Sequence, residues 1–481
     1  MDQSSKPTFS FVNLKHPDDL KDEETQLRIR RLAMTEVGKA RRKPKTKRGR
    51  NEIVLELRNS TQRQPDIDRL GGGRIDPFSR YPIELDDDAR ALLANIFNPD
   101  TAHASQLRGS WFPVALETPA AFHNTLANSQ NFVFKDMYGF FPSQDDAQAL
   151  MHHQKALRLT RDMMSDSSKH TSLDALSTIV SFTCHHALLG SFAGGEWKHH
   201  QDALLRIVGL RGGYDTIDRE HLRITISWGD LMGSFAQDIS PSVPLPRKWD
   251  ADSRSPPGSP RPHSFMSLTW KQQLPKQMDW VTIFDDIVQL ISLDRVLNKQ
   301  QLELAVTSGS WIEPTMYRLL AIRPLQLGND REHVLEEVCR LGTLLFLAPF
   351  WKVLGQSPVW TAAISRNLQL VLLQYKTEWN ELKPLLIWTL YFAAIETSDL
   401  AERNQFVFML AIAMSGMQLQ QWGELLEIVK GVLWVDKVLA GTDELIKDEV
   451  MQIVSQRSVV LVVEEEPFTL FDSLGGTAEG A

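Results

Sequence analysis

Six histidines of this 481-residue chain stand in three adjacent pairs, His152–His153, His185–His186 and His199–His200. Imidazole is a frequent ligand of zinc and other transition metals, so paired histidines raise metal chemistry first. Neighbours on a helix point about 100° apart, and the i,i+4 histidine pair of a helical zinc site, with its partner glutamate, is absent. No metal site and no cofactor are therefore expected. The two cysteines, Cys184 and Cys339, stand 155 positions apart in apolar, helix-like contexts. They read as small buried side chains and exclude a disulfide framework or a multi-cysteine zinc site.

Catalytic signatures are equally sparse. The chain contains no G-x-S-x-G elbow, no G-x-x-x-x-G-K-[ST] phosphate loop and no G-x-G-x-x-G after a strand. The glycines of "GGGRIDPF" lie in linker composition. Carboxylates cluster at Asp86, Asp87 and Asp88 and again at Asp285 and Asp286, which raises an enzyme acting on a lipid or terpenoid-like diphosphate. Neither cluster has the spacing on facing helices that magnesium–diphosphate chemistry requires, and the first reads as a helix start complementing the dipole. No catalytic residue is assigned and no enzyme is expected.

The strongest charge feature is "KARRKPKTKRGR" at 39–50, whose Lys39, Arg41, Arg42, Lys43, Lys45, Lys47, Arg48 and Arg50 are interrupted by no acid. Between Arg28 and Arg50 the local net charge is +10 in a chain of net −8, which leaves −18 for the rest. An acidic body cannot bind nucleic acid over its whole surface, whereas a basic arm can. Three readings compete for the cluster: a nuclear import signal, placed first, a phosphate-binding arm, and a solvated charge run. No aromatic interrupts it, so stacking on single strands is not expected, and its phosphate contacts would be independent of sequence and steeply salt-dependent.

Periodicity decides the fold class. With 42% hydrophobic and 23% charged residues, the composition is that of a globular chain, and most of its 13 Trp and 22 Phe follow residue 95. No run of about 18 apolar residues and no apolar signal core occur, so a soluble intracellular protein without membrane contact is expected. Helical spacing recurs in segments of ten to twenty residues, among them "DDAQALMHHQKALRLTRDMM", "SLDALSTIVSFTCHHALLGSF", "LKPLLIWTLYFAAIE" and "ERNQFVFMLAIAMSGM", each ending at Gly, Pro or a polar cluster.

The fold expected is all-α, a large multi-helix array with a disordered basic N-terminal arm. Its parts are an N-terminal segment with a basic amphipathic helix (1–58), a Gly-rich linker (59–80), a first helical region (81–249), a Pro/Ser-rich linker or loop (250–268), a second helical region (269–455) and an acidic, aromatic tail (456–481).

The stretch 197–230, "WKHHQDALLRIVGLRGGYDTIDREHLRITISWGD", is the most distinctive. Leu204, Leu205, Ile207, Val208 and Leu210 form an apolar face, Gly212 and Gly213 supply a left-handed helix end, and Trp228 and Asp230 fall on the next helix. His200 ahead of "ALLRIVGLRGG", then "ISWGD" and the exit "PSVPLP", resemble the fungal-specific transcription factor domain, a helical region that usually follows a binuclear zinc cluster. His200, Arg211, Gly212, Gly213, Trp228 and Asp230 are its signature positions here, in a structural role.

The opening "FSFVNLKHPDD" with "RIRRLAMTEVGKARRKPK" is similar to the N-terminus of fungal proteins carrying this domain without the cluster, and coverage from 81 to about 440 is expected. The family's zinc cluster needs six cysteines, and two are present. The resemblance implies a nuclear, non-enzymatic transcriptional regulator or co-regulator with regulatory proteins as partners. DNA contact falls to the basic arm, and a homodimer is compatible with the pattern. The alternative is a cytoplasmic helical scaffold that shares the fold.

Overall fold

The computed structural model describes residues 81–98, 107–247, 249, 278–294, 312–355, 357–439 and 441–458. The chain divides into residues 1–64 and 65–481, and all described residues belong to the second unit. The expected basic helix and cluster at 39–50, the Gly-rich linker, the Pro/Ser-rich segment and the tail beyond 458 lie outside the described residues.

The described residues are helical, with no strand among them, as periodicity predicts. The helices of nine or more residues before position 250 are α1 (Asp87–Ile96), α2 (Pro119–Tyr138), α3 (Ala147–Met164), α4 (Leu173–Leu188), α5 (Glu196–Leu210) and α6 (Glu220–Gln237). Beyond it follow α7 (Asp279–Asp294), α8 (Glu313–Ala321), α9 (Arg331–Gly355), α10 (Ala362–Gln374), α11 (Lys383–Glu396), α12 (Leu400–Gly416), α13 (Trp422–Val432) and α14 (Lys447–Ser458). None of the described helices is long and apolar enough to cross a membrane.

Helix starts are set by local chemistry. Asp86, Thr118, Asp146, Ser172 and Asp399 each accept a hydrogen bond from a backbone N–H three residues on, satisfying donors that the first turn leaves without partners. Asp86 to Asp88 are therefore the cap and first turn of α1, as expected of an acidic helix start. At the other end of α5, Gly212 and Gly213 have φ of +96° and +107°, and their N–H groups donate to Gly209 O (3.0 Å) and Val208 O (2.9 Å). This is the left-handed ending that the Gly-Gly pair predicts.

One expectation on α5 needs correction. Leu204, Ile207 and Val208 are buried, but Leu210 is 69% exposed, because two residues beyond Val208 the helix has turned by about 200°.

One apolar cluster runs from Ala89 to Val454 and joins both helical regions. α2 packs on α3 and α4, and α4 on α5 and α6; beyond them α9 packs on α10 and α11, and α11 on α12 and α13. α6 touches α4 on one side and α8 and α10 on the other. Along it, Trp228 meets Trp111 edge-on at 4.5 Å and Phe235 meets Trp351 at 5.6 Å. Gly233 lies directly under the Trp197 ring, where a Cβ would collide with it.

Candidate functional site

α2 is the least expected element. Every residue from Ala120 to Phe132 is buried, yet this stretch carries His123, Asn124, Asn128, Gln130 and Asn131. Asn124, Asn128 and Asn131 stand at i, i+4 and i+7, so one face of a buried helix is a stripe of amides. Burying an amide is tolerable only when its donors and acceptors find partners.

Those partners come from α3, α4 and the turn between α2 and α3. Asn124 Nδ2 donates to Ser181 Oγ (2.9 Å) and its Oδ1 faces His153 Nδ1 (3.1 Å). Asn128 Oδ1 faces His185 Nδ1 (2.7 Å), and Asn131 Nδ2 donates to Asp145 Oδ1 (2.9 Å). Asp145 Oδ2 lies 3.0 Å from His185 Nε2. Next to it, Asp146 caps α3 while accepting from Gln130 Nε2 (2.7 Å).

Around this network the imidazoles collect. His153 stacks on His185 at 4.3 Å, His186 stacks on His200 at 5.0 Å, and His200 stacks in turn on Phe182. One residue earlier on both α2 and α3, His123 and His152 meet through their Nδ1 atoms at 3.1 Å.

Burial and the neighbouring imidazole charge push the histidines towards their neutral forms: His153 to about 3, His123 and His200 to about 4. Burial alone would raise Asp145, but the hydrogen bond and charge of His185 hold it below the ordinary carboxylate range. His152 Nε2 and His186 Nδ1 are buried without a hydrogen-bond partner among the described residues.

Sequence reasoning missed this cluster because it judged each histidine pair on its own helix. Packing selects members of all three pairs and adds His123 and a loop aspartate. His199 takes no part; its Nδ1 faces Gly195 O at 2.8 Å. Asp145, His153 and His185 each offer one polar atom within 4.8 Å of the others, but the face-to-face stacking of the two rings turns their in-plane lone pairs away from a common point.

Arg211 and Asp230, on α5 and α6, hold neighbouring segments in place. Arg211 donates to the carbonyls of Thr171 and Thr216, fastening the α5 end to the α4 entry. Buried Asp230 accepts from Gln201 Nε2 (2.6 Å) and from the backbone N–H groups of Ser242 (2.8 Å) and Val243 (3.2 Å). The "PSVPLP" exit is thus held against α6 by one carboxylate, which burial raises to about 6 despite those bonds.

A second polar site closes the far end of α6. Asp238, in left-handed backbone at φ 48°, receives both Nη atoms of fully buried Arg340 (2.8 and 3.1 Å), Arg323 Nη1 (2.9 Å) and Asn367 Nδ2 (2.8 Å). Arg340 also reaches Glu337 (2.6 and 2.9 Å). Burial would raise Asp238, but the Arg340 and Arg323 cations hold its carboxyl low. Beside this group lies a cleft of about 280 Å³, lined among others by Arg323, Glu337, Asn367, Leu370 and Tyr375.

Of the carboxylates that raised diphosphate chemistry, Asp86 caps α1 and Asp286 pairs with Arg318 at 2.7 Å.

No curated protein and no solved structure gives a significant match to the chain. The family model of the fungal specific transcription factor domain matches residues 91–432, from within α1 to the end of α13. That range contains the amide stripe, the histidine cluster, the Asp230 brace and the Asp238 site. The chain belongs to the fungal specific transcription factor domain family, whose members act in transcriptional regulation.

Proposed function

We propose that the chain is a nuclear, non-enzymatic transcriptional regulator or co-regulator, whose helical body binds other regulatory proteins or a small effector. The basic segment Lys39–Arg50 directs nuclear import or gives weak, sequence-independent DNA contact. The observation that carries this reading is the family match over 91–432. The cleft beside Asp238, about 280 Å³ and lined by apolar Leu370 next to the paired Arg323 and Asp238, is the place where the effector part of this reading would be sought first.

A fluorescent fusion of the full chain, beside one with the eight basic residues of 39–50 changed to Ser, tests the reading. The full chain is expected in nuclei and the substituted one in the cytoplasm. A full chain outside nuclei under every growth condition would overturn the nuclear role and leave a cytoplasmic helical scaffold.

DNA contact is separable by binding to random duplex at two salt concentrations. If all eight cations met phosphates, affinity would fall by about 7 decades per tenfold rise in salt. Salt-resistant selection of one sequence would overturn the weak-contact part.

A further inference from the structure

α3 packs on α2 and, more lightly, on α4, and the half of it turned away from them faces solvent. That half is not the purely charged face expected of a surface helix. Leu150, Met151 and Leu157 are 43%, 37% and 42% exposed, and Leu150, Gln154, Leu157 and Arg161 stand at i, i+4, i+7 and i+11 on one stripe. A single exposed leucine is ordinary, whereas three large apolar side chains on the open side of one helix form a patch for a partner to cover.

Cations flank the patch. α3 carries Lys155, Arg158 and Arg161 against one acid, Asp162. Arg158 and Arg161 are exposed, and neither has an ion pair or a side-chain hydrogen bond among the described residues. An occupant therefore needs apolar side chains at helical spacing together with negative charge. A second copy of the same face does not fit, because a symmetric contact would set arginines beside arginines. The basic segment Arg28–Arg50, at +10, does not fit either.

Residues 459–481 meet both needs. They contain four Glu and one Asp with no Lys, Arg or His, and Leu470, Phe471 and Leu474 fall at helical spacing behind Glu464, Glu465 and Glu466. α14 ends at Ser458, and the twelve residues from there to Leu470 span up to about 40 Å when extended.

We propose that this acidic tail docks on the outer face of α3 in the same molecule, with Leu470, Phe471 and Leu474 covering Leu150, Met151 and Leu157, and the three glutamates facing Arg158 and Arg161. The tail then runs antiparallel to α3, and the two patterns match in length: Leu150 to Arg161 spans about 16 Å of helix and Glu465 to Leu474 about 14 Å. The inference goes beyond the regulatory reading, because any partner that uses the α3 face must first displace the tail.

The test replaces Phe471 of the full chain with photoreactive p-benzoylphenylalanine, irradiates it in dilute solution and maps the cross-links by peptide mass spectrometry. Cross-links to residues 147–164 within one molecule are expected. Arg158→Glu with Arg161→Glu turns attraction into repulsion at exposed positions and should lower their yield by at least about threefold. Adding Glu464→Lys, Glu465→Lys and Glu466→Lys should restore the yield, which a loss of folding would not allow.

No cross-link, cross-links only to other surfaces or only between molecules, a yield indifferent to the arginine substitutions, or no recovery on charge exchange would each overturn the proposal. None of these results bears on nuclear localisation.

Discussion

Between α2, α3 and α4 the helices meet through amides, imidazoles and a carboxylate, whereas between α9, α11 and α12 they meet through rings and aliphatic chains. In the second region Trp388 is fully buried among Phe284, Phe346 and Phe392 at centroid distances of 5.1 to 5.8 Å. Its one polar atom donates to Leu433 O at 2.9 Å. Aromatic packing is strong and weakly directional. The amide wall is directional: Asn124, Asn128 and Asn131 each have one partner set that fits, and a slip of one residue along α2 would leave several buried groups without partners. The same chain thus uses one interface mainly for cohesion and another mainly to specify how helices align.

The largest effect that would break this comparison is loss of cohesion. Trp388→Ala removes the central ring of the apolar region and leaves the Leu433 carbonyl without its donor, so it should destabilise by about 3–5 kcal/mol in urea unfolding at neutral pH. A loss below about 1 kcal/mol would show that cohesion is not concentrated there.

Next in size is Gly233→Ala. The added methyl meets the buried Trp197 ring, which has no room to swing away. The loss should be about 1–3 kcal/mol, with a changed tryptophan signal in near-UV circular dichroism.

The most gradual effect, spread over more than two pH units, and the one that sharpens the comparison, is pH dependence. His123 and His200 have folded values near 4, against an unfolded value near 6.5. As pH falls from 6.5 towards 4, the unfolded chain takes up protons that the folded chain refuses. Stability should therefore drop by up to about 1.4 kcal/mol per pH unit for each proton withheld, and above 6.5 these two histidines contribute no slope.

Asp230, raised to about 6, opposes them, since its folded form is protonated first on acidification and its contribution is lost as pH rises through 6. Urea midpoints measured from pH 7 to 4.5 on the full chain and on a His123→Gln/His200→Gln variant check this, with a flatter profile expected for the variant. An unchanged profile would place the pH sensitivity in groups other than His123 and His200.

Much of the fold can be read from the amino acids alone because α3 to α6 and α9 to α13 carry apolar faces between recognisable starts and stops. Ser172 opens α4 and Gly212 closes α5, and each is visible without coordinates. α2 escapes that reading for a physical reason. Its buried face is polar, so a search for apolar periodicity finds nothing at Asn124, Asn128 and Asn131. The i, i+4, i+7 spacing of three asparagines was the available signal.

The histidine cluster was out of reach in a different way, because its members come from four helices and only tertiary packing chooses between His199 and His200. The Gly-Gly end of α5 was legible, but the contacts around α6 were not. That Asp230 braces the proline-rich exit depends on backbone N–H groups, which leave no mark in residue types.

The Asp238 site has a consequence for how the chain folds and comes apart. Asp238 and Arg340 are 102 positions apart, and their contact forms only after α6 and α9 have met. Closing so long a loop delays the contact, so its energy is expected to enter after the rate-limiting barrier of folding. Substitutions there should mainly hasten unfolding and leave refolding little changed. Asp238 would then act as a latch on the lifetime of the native state.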